Sequence, residues 1–107
     1  MKKYLLLALA LLASSNFQYA SASEELAIQY ACVACHELDY TRIGPAYYDV
    51  ADRYRGTDEE MIKELARRVR EGTTGNWGMM QMTPQPTVSE ETAETLVRWV
   101  LSLQRPE

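Results

Sequence analysis

The chain has 107 residues, with 15 acidic side chains against 11 basic ones and a formal net charge of −4 at pH 7. That balance argues against a nucleic-acid partner, which wants a basic face for phosphate, and the length holds one domain. Two cysteines and one histidine cannot complete a four-ligand zinc site without recruiting carboxylates.

Residues 1–22 read as a cleaved secretory signal peptide. Lys2 and Lys3 form a positive start, Tyr4 to Ala13 is an almost unbroken Leu/Ala run, and Ala20-Ser21-Ala22 supplies the small-residue cleavage pattern. The apolar run is short for a bilayer span, so the alternative of an uncleaved membrane anchor is disfavoured. The expected location is the periplasm, with the chain not embedded in the membrane. Cleavage after Ala22 leaves residues 23–107 as a single domain, in which Lys63 and eight arginines face fifteen acids, a net charge of −6. A domain of this size buries only about 60% of its unfolded surface. Without an enclosed cofactor it is expected to fold poorly.

Ser23-Glu24-Glu25 opens a short helix, with an N-cap candidate and acids in the first turn. Leu26, Ala27, Tyr30 and Ala31 give it an apolar side, and it runs into Cys32-Val33-Ala34-Cys35-His36. A C-x-x-C-H run reads as the attachment site of a c-type haem. Two thiols on one turn of backbone can each add to a haem vinyl group, and the adjacent imidazole then serves as an iron ligand. The competing readings are a dithiol redox pair and half of a zinc site. A redox pair would follow a strand in a βαβ pattern, and nothing upstream resembles a strand.

Residues 37–44 are irregular. Pro45 is placed to start a helix, with Tyr47, Val50, Ala51 and Tyr54 at helical spacing, and Gly56 ends it. Thr57-Asp58-Glu59-Glu60 reads as a T-x-x-E capping box. The helix it opens carries Met61, Ile62, Leu65, Ala66 and Val69 on one face and stops at Gly72. Residues 72–88 hold three glycines, two prolines and three methionines, and read as a loop. Ser89 to about Gln104 forms the last helix, with Leu96, Val97, Trp99, Val100 and Leu103 apolar. No strand and no repeat is predicted, so the fold class is all-α.

His36 fills one axial site of a haem iron, and with no second histidine a bis-histidine centre is excluded. Met61, Met79, Met80, Met82, Lys63 or no residue remain for the other. Met61 sits at apolar helical spacing and reads as core packing. Spacing does not choose among the three loop methionines, which could all simply pack against the haem edge. On the residues alone, Trp77 reads as loop packing and Arg68 as a solvent-facing helix residue.

The haem motif, Ile43-Gly44-Pro45-Ala46-Tyr47, Gly72, Gly75-Asn76-Trp77-Gly78, Met82-Thr83-Pro84 and Arg98-Trp99-Val100-Leu101-Ser102 follow one another in an order that resembles the short bacterial monohaem class I cytochromes c, of the five-fifty-one/five-fifty-two type. The resemblance spans essentially all of residues 23–107. It implies about four helices wrapped around one covalently bound haem c, held by Cys32 and Cys35, with His36 as proximal ligand. It further implies that the Pro45 carbonyl accepts from the His36 ring, that Met82 supplies the sulfur ligand, and that Arg68 and Trp77 hydrogen-bond a haem propionate. Trp99 would pack the last helix against the first. Three departures stand out: Met82-Thr83-Pro84 replaces a Met-Pro-Pro, Gln85 stands where many relatives have an asparagine that bonds the Met sulfur, and Met79 and Met80 offer nearby alternative ligands to which the iron could switch. The implied function is a soluble one-electron carrier and not an enzyme. Its expected partners are redox proteins, with a donor such as a quinol-oxidising complex and an acceptor such as nitrite reductase, a terminal oxidase or a peroxidase, and the carrier itself is expected to be a monomer. Val33, Ala34 and Ile43 are the expected docking patch. A labile Met arm would instead suit a haem gas sensor or weak peroxidase, and a free Cys32/Cys35 pair a thiol oxidoreductase.

Overall fold

The structure is a computed structural model and describes residues 23–107. The predicted signal peptide and its cleavage point lie outside the described residues. The elements in order are helix α1 (residues 23–29), a 3-10 turn at Cys32–Ala34, α2 (Tyr47–Tyr54), α3 (Glu59–Glu71), strands β1 (Thr73–Gly75) and β2 (Gly78–Met82), and α4 (Glu90–Ser102). Residue 23 is already helical, so Ser23 is not the cap expected of it.

The core lies between α1, α3 and α4. Ala27, Ile62, Ala66, Val88, Ala93, Leu96 and Val97 are buried together, with Leu26, Leu65, Val69, Trp99 and Leu101 packed against them. Ala27, Ala66 and Ala93 are essentially inaccessible. Their small side chains let the three helices approach closely, which leaves the larger residues of α2, α3 and α4 to line a cleft on the other side. Trp99 packs against this cluster, of which Ala27 of α1 is a member.

Helix ends follow local chemistry, with two shifts from expectation. The α3 cap is Asp58, whose Oδ1 accepts from the Met61 N–H at 2.9 Å. Thr57 instead donates its own N–H to the Tyr54 carbonyl in the turn that closes α2, so the negatively charged neighbour takes the cap. Pro45 is not the first residue of α2. That helix starts at Tyr47 with Ala46 as its cap, because Pro45 belongs to the preceding loop and its carbonyl is turned to His36. Ser89 caps α4 as the sequence indicates, accepting from the Thr92 N–H at 3.1 Å.

The segment expected to be a loop contains a β-hairpin. Thr73 pairs with Met82, Thr74 with Gln81 and Gly75 with Gly78, antiparallel, with an irregularity between Thr74 and Gly75. Gly75 and Gly78 have φ of +84° and +68°, a conformation glycine adopts without steric cost, and they frame the Asn76-Trp77 turn. Turn chemistry makes this hairpin. Strands of three and five residues are too short for alternation to announce them.

Candidate haem site

The site begins where α1 ends. Ala31 takes a left-handed conformation (φ 58°, ψ 25°), which costs a non-glycine residue about 1–2 kcal/mol and swings the chain out of the helix. The Ala34, Cys35 and His36 N–H groups then close back onto the Ala31 and Cys32 carbonyls at 3.0–3.1 Å. Both cysteines and the histidine are thereby gathered into one turn. Neither cysteine is in a disulfide. Burial pushes the Cys32 thiol above its ordinary pKa, only partly offset by a backbone hydrogen bond.

His36 is held on three sides. Its Nδ1 lies 2.8 Å from the Pro45 carbonyl oxygen. A carbonyl can only accept, so Nδ1 carries the proton and Nε2 keeps its lone pair for a metal. The Tyr47 ring stacks on the imidazole, centroids 5.1 Å apart and planes 16° from parallel, and Trp99 meets Tyr47 edge-on at 5.6 Å. Burial drives the Tyr47 hydroxyl pKa upward, with the neighbouring thiols adding to the effect, so it stays neutral. On the third side the Gly44 backbone approaches so closely that a Cβ there would stand 2.6 Å from His36 Cε1. The loop is pinned by the Gly44 N–H on the Cys35 carbonyl and the Tyr47 N–H on the Glu37 carbonyl, both 2.8 Å.

Cys32, Cys35, His36, Pro45, Arg68, Trp77 and Met82 all line one cleft. Its walls include Val50, Leu65, Val69, Leu96 and Val97, and it encloses about 1330 Å³ between atoms, open mouth included. The alternating burial of β2 sorts the methionines. Met80 and Met82 are half-buried on the cleft face, whereas Met79 is 99% exposed.

The three neighbouring arginines of α3 have separate partners. Arg67 pairs with Glu64 and Glu71 at the surface, and Arg70 donates to the Val88 carbonyl. Arg68, with a side chain 19% exposed, donates to Glu64 at 3.2 Å and to the Tyr54 hydroxyl at 3.3 Å on the cleft wall. Trp77 packs beneath the Arg53 guanidinium, and its indole N–H has no hydrogen-bond partner among the described residues. Gln85 donates its side-chain amide to the Thr83 carbonyl at 3.2 Å, and its backbone N–H to the Val69 and Arg70 carbonyls at 3.1 Å each. Gly44, Tyr47, Tyr54 and Arg53 were not singled out for the site from the sequence. Each acts through a neighbour brought in by the fold, although Gly44 and Tyr47 sit inside the Ile43-Gly44-Pro45-Ala46-Tyr47 motif.

The donor set suits a haem. Two thiols and an oriented imidazole share a turn, thioethers face the same apolar cleft, and the described residues contain no His/Cys/Asp/Glu cluster of metal-cage type.

Comparisons with known proteins agree. Residues 20–104 match the cytochrome c family. The chain is 41% identical to cytochrome c-552 of Hydrogenobacter thermophilus over 104 residues, covering 97% of this chain and 100% of that protein. It is also 41% identical to cytochrome c-551 of Pseudomonas aeruginosa, covering 95% of this chain and 98% of that one. The crystal structure of Nitrosomonas europaea cytochrome c552 superposes with a TM-score of 0.71 at 34% identity, covering 76% of this chain and 99% of that one. A C-x-x-C-H turn inside a matching class I fold therefore leads to one conclusion: the chain belongs to the cytochrome c family, carries a covalently attached haem c, and is a small electron carrier and not an enzyme.

Proposed function

We propose that this protein is a periplasmic one-electron shuttle of respiratory chains, with His36 and Met82 as the two axial ligands of its haem. The observation that carries the reading is that the tied imidazole and the Met82 thioether line the same apolar cleft. When bound, the haem supplies reversible one-electron exchange at its iron. His36 contributes Nε2, because Pro45 fixes the proton on Nδ1. Met82 contributes a soft sulfur donor, a pairing that raises the reduction potential. Leu65, Val69, Leu96 and Val97 exclude water from the cleft walls, which disfavours the more highly charged ferric state. Arg68 and the unpartnered indole N–H of Trp77 are the donors for the haem propionates. With His36 and Met82 both holding the iron, the protein would leave it no position for substrate.

Ile43, 59% exposed, lines the cleft, and Val33, 42% exposed, and Ala34 sit in the turn between the cleft-lining Cys32 and Cys35, so the three are proposed as an apolar rim. Such a rim suits the small, transient contacts of redox encounters, and the acidic charge of the domain steers partner choice. The partners proposed are a quinol-oxidising donor complex and a nitrite reductase, terminal oxidase or peroxidase as acceptor, met by a monomeric carrier. Among the described residues no helix is long and apolar enough to cross a membrane. Localisation is tested by fractionation: release with the periplasmic contents is expected, and retention in the membrane pellet would refute it.

Ligation is tested by the visible spectrum. The ferric protein is expected to show the far-red Met–iron band, which Met82→Ala abolishes and Met80→Leu leaves. Loss of the band in Met80→Leu instead would transfer the ligand role to Met80.

A further inference from the structure

The hairpin that carries Met82 is fastened at its tip by a side chain from another element. Its turn has little core of its own, since Gly75, Gly78 and Met79 are all exposed. Arg53, next to last in α2, reaches the turn with two contacts. Its Nη1 donates to the Asn76 carbonyl at 2.6 Å, and its guanidinium lies over the Trp77 ring with Cζ 3.4 Å from the centroid. A planar guanidinium can stack by its face and donate by its edge at once, which an ammonium cannot do. Asn76 in turn donates to the Thr73 hydroxyl at 2.6 Å, passing the restraint to β1. At the other end of β2, the Gln85 N–H is tied to the Val69 and Arg70 carbonyls. The strand bearing Met82 is thus anchored at both ends.

We infer that Arg53 is a positioning residue for the ligand arm: by stacking on Trp77 and holding the Asn76 carbonyl, it keeps the hairpin closed over the cleft. This rests on Met82 as the sulfur ligand. With the haem bound, opening of the arm would free the place Met82 holds for an external ligand, so the population of the open arm is readable as cyanide affinity.

The experiment uses the haem-loaded protein and its Arg53→Leu and Arg53→Lys variants. Cyanide is titrated into the ferric form at fixed pH and salt, and amide hydrogen exchange is followed across residues 73–82 and across α4. Arg53→Leu is expected to bind cyanide about tenfold more tightly, because a cation–π contact and a charge-assisted hydrogen bond are lost together. Hairpin amides should exchange faster while α4 amides keep their wild-type rates. Arg53→Lys should remain closer to Arg53→Leu than to wild type. Unchanged cyanide affinity with unchanged hairpin exchange would overturn the inference. So would equal acceleration in the hairpin and α4, which marks global loosening, or full rescue by lysine, which removes the stacking argument. A wild-type spectrum without the Met–iron band would defeat the Met82 assignment alone, while hydrogen exchange still reads whether Arg53 holds the hairpin.

Discussion

Gly44→Ala is the substitution whose cost the geometry states most directly. Gly44 is not among the glycines with positive φ, so alanine brings no backbone penalty there. Its Cβ would lie 2.6 Å from His36 Cε1, 3.0 Å from Nδ1 and 3.1 Å from Nε2. The imidazole is backed by Tyr47 and tied to Pro45, so it cannot retreat without giving up the stack or the hydrogen bond. Overpacking of this kind costs about 1–3 kcal/mol, and loss of the His36–Pro45 bond about 0.5–1.5 kcal/mol more. Together they remove about 1.5–4.5 kcal/mol, a large share of the roughly 5–15 kcal/mol that holds a small domain folded. Guanidinium unfolding of the haem-loaded protein, followed by circular dichroism and haem absorbance, measures it. Because the ring is the group displaced, the haem spectrum or the midpoint potential should move as well. Gly56→Ala is the control: at φ +77°, with nothing within 4 Å of an added Cβ, it should cost about 1–2 kcal/mol from backbone strain and leave the spectrum unchanged. Gly44→Ala within about 0.5 kcal/mol of wild type, with an unaltered spectrum, would refute the reasoning.

Two further expectations concern α3. Asp58→Ala should cost about 1 kcal/mol through loss of the cap on Met61 N–H, whereas Thr57→Ala should stay within about 0.5 kcal/mol. Thermal melts that rank them the other way round would restore Thr57 as the cap. The hydrogen bond from Arg67, followed by that from Arg68, lowers the Glu64 pKa from 4.5 to about 2. A depressed folded-state value gives stability that is complete above about 4.5 and fades as pH falls toward 2. Glu64→Gln should therefore flatten the acid limb of the stability curve in that window. The Glu64 side chain is 35% exposed, so the difference should shrink in high salt. An acid limb identical to wild type at low ionic strength would count against the pairing.

Features made by neighbours in sequence were legible, and features made by tertiary approach were not. The C-x-x-C-H turn closes through bonds three or four residues apart, so its spacing carries its chemistry. Helices α2 to α4 announced themselves by apolar period and by glycine or serine at their ends. The hairpin was missed because Gly75 and Gly78 shape it, and those glycines look like loop punctuation until their φ values are known. Pro45 reads as a helix start because its ring suits that position, while its carbonyl serves His36. The methionines could not be separated by helical spacing. Strand alternation separates them at once, turning Met79 out and Met80 and Met82 in. Arg53 and Gly44 matter through a ring they approach in space, and no local pattern marks such a residue.

The ring column that runs from Trp99 through Tyr47 to His36 also bears on the order of events in biogenesis. The cysteine turn needs only contacts within a few residues, and such closures take well under a microsecond to microseconds. It can present both thiols while the rest of the chain is unstructured. The imidazole, by contrast, is aligned by a carbonyl nine residues on and by a tryptophan in the final helix. Those contacts close long loops and come late. Attachment and alignment are thus expected to separate in time: the thiols should be ready early, and the imidazole should take its final orientation only when the last helix docks.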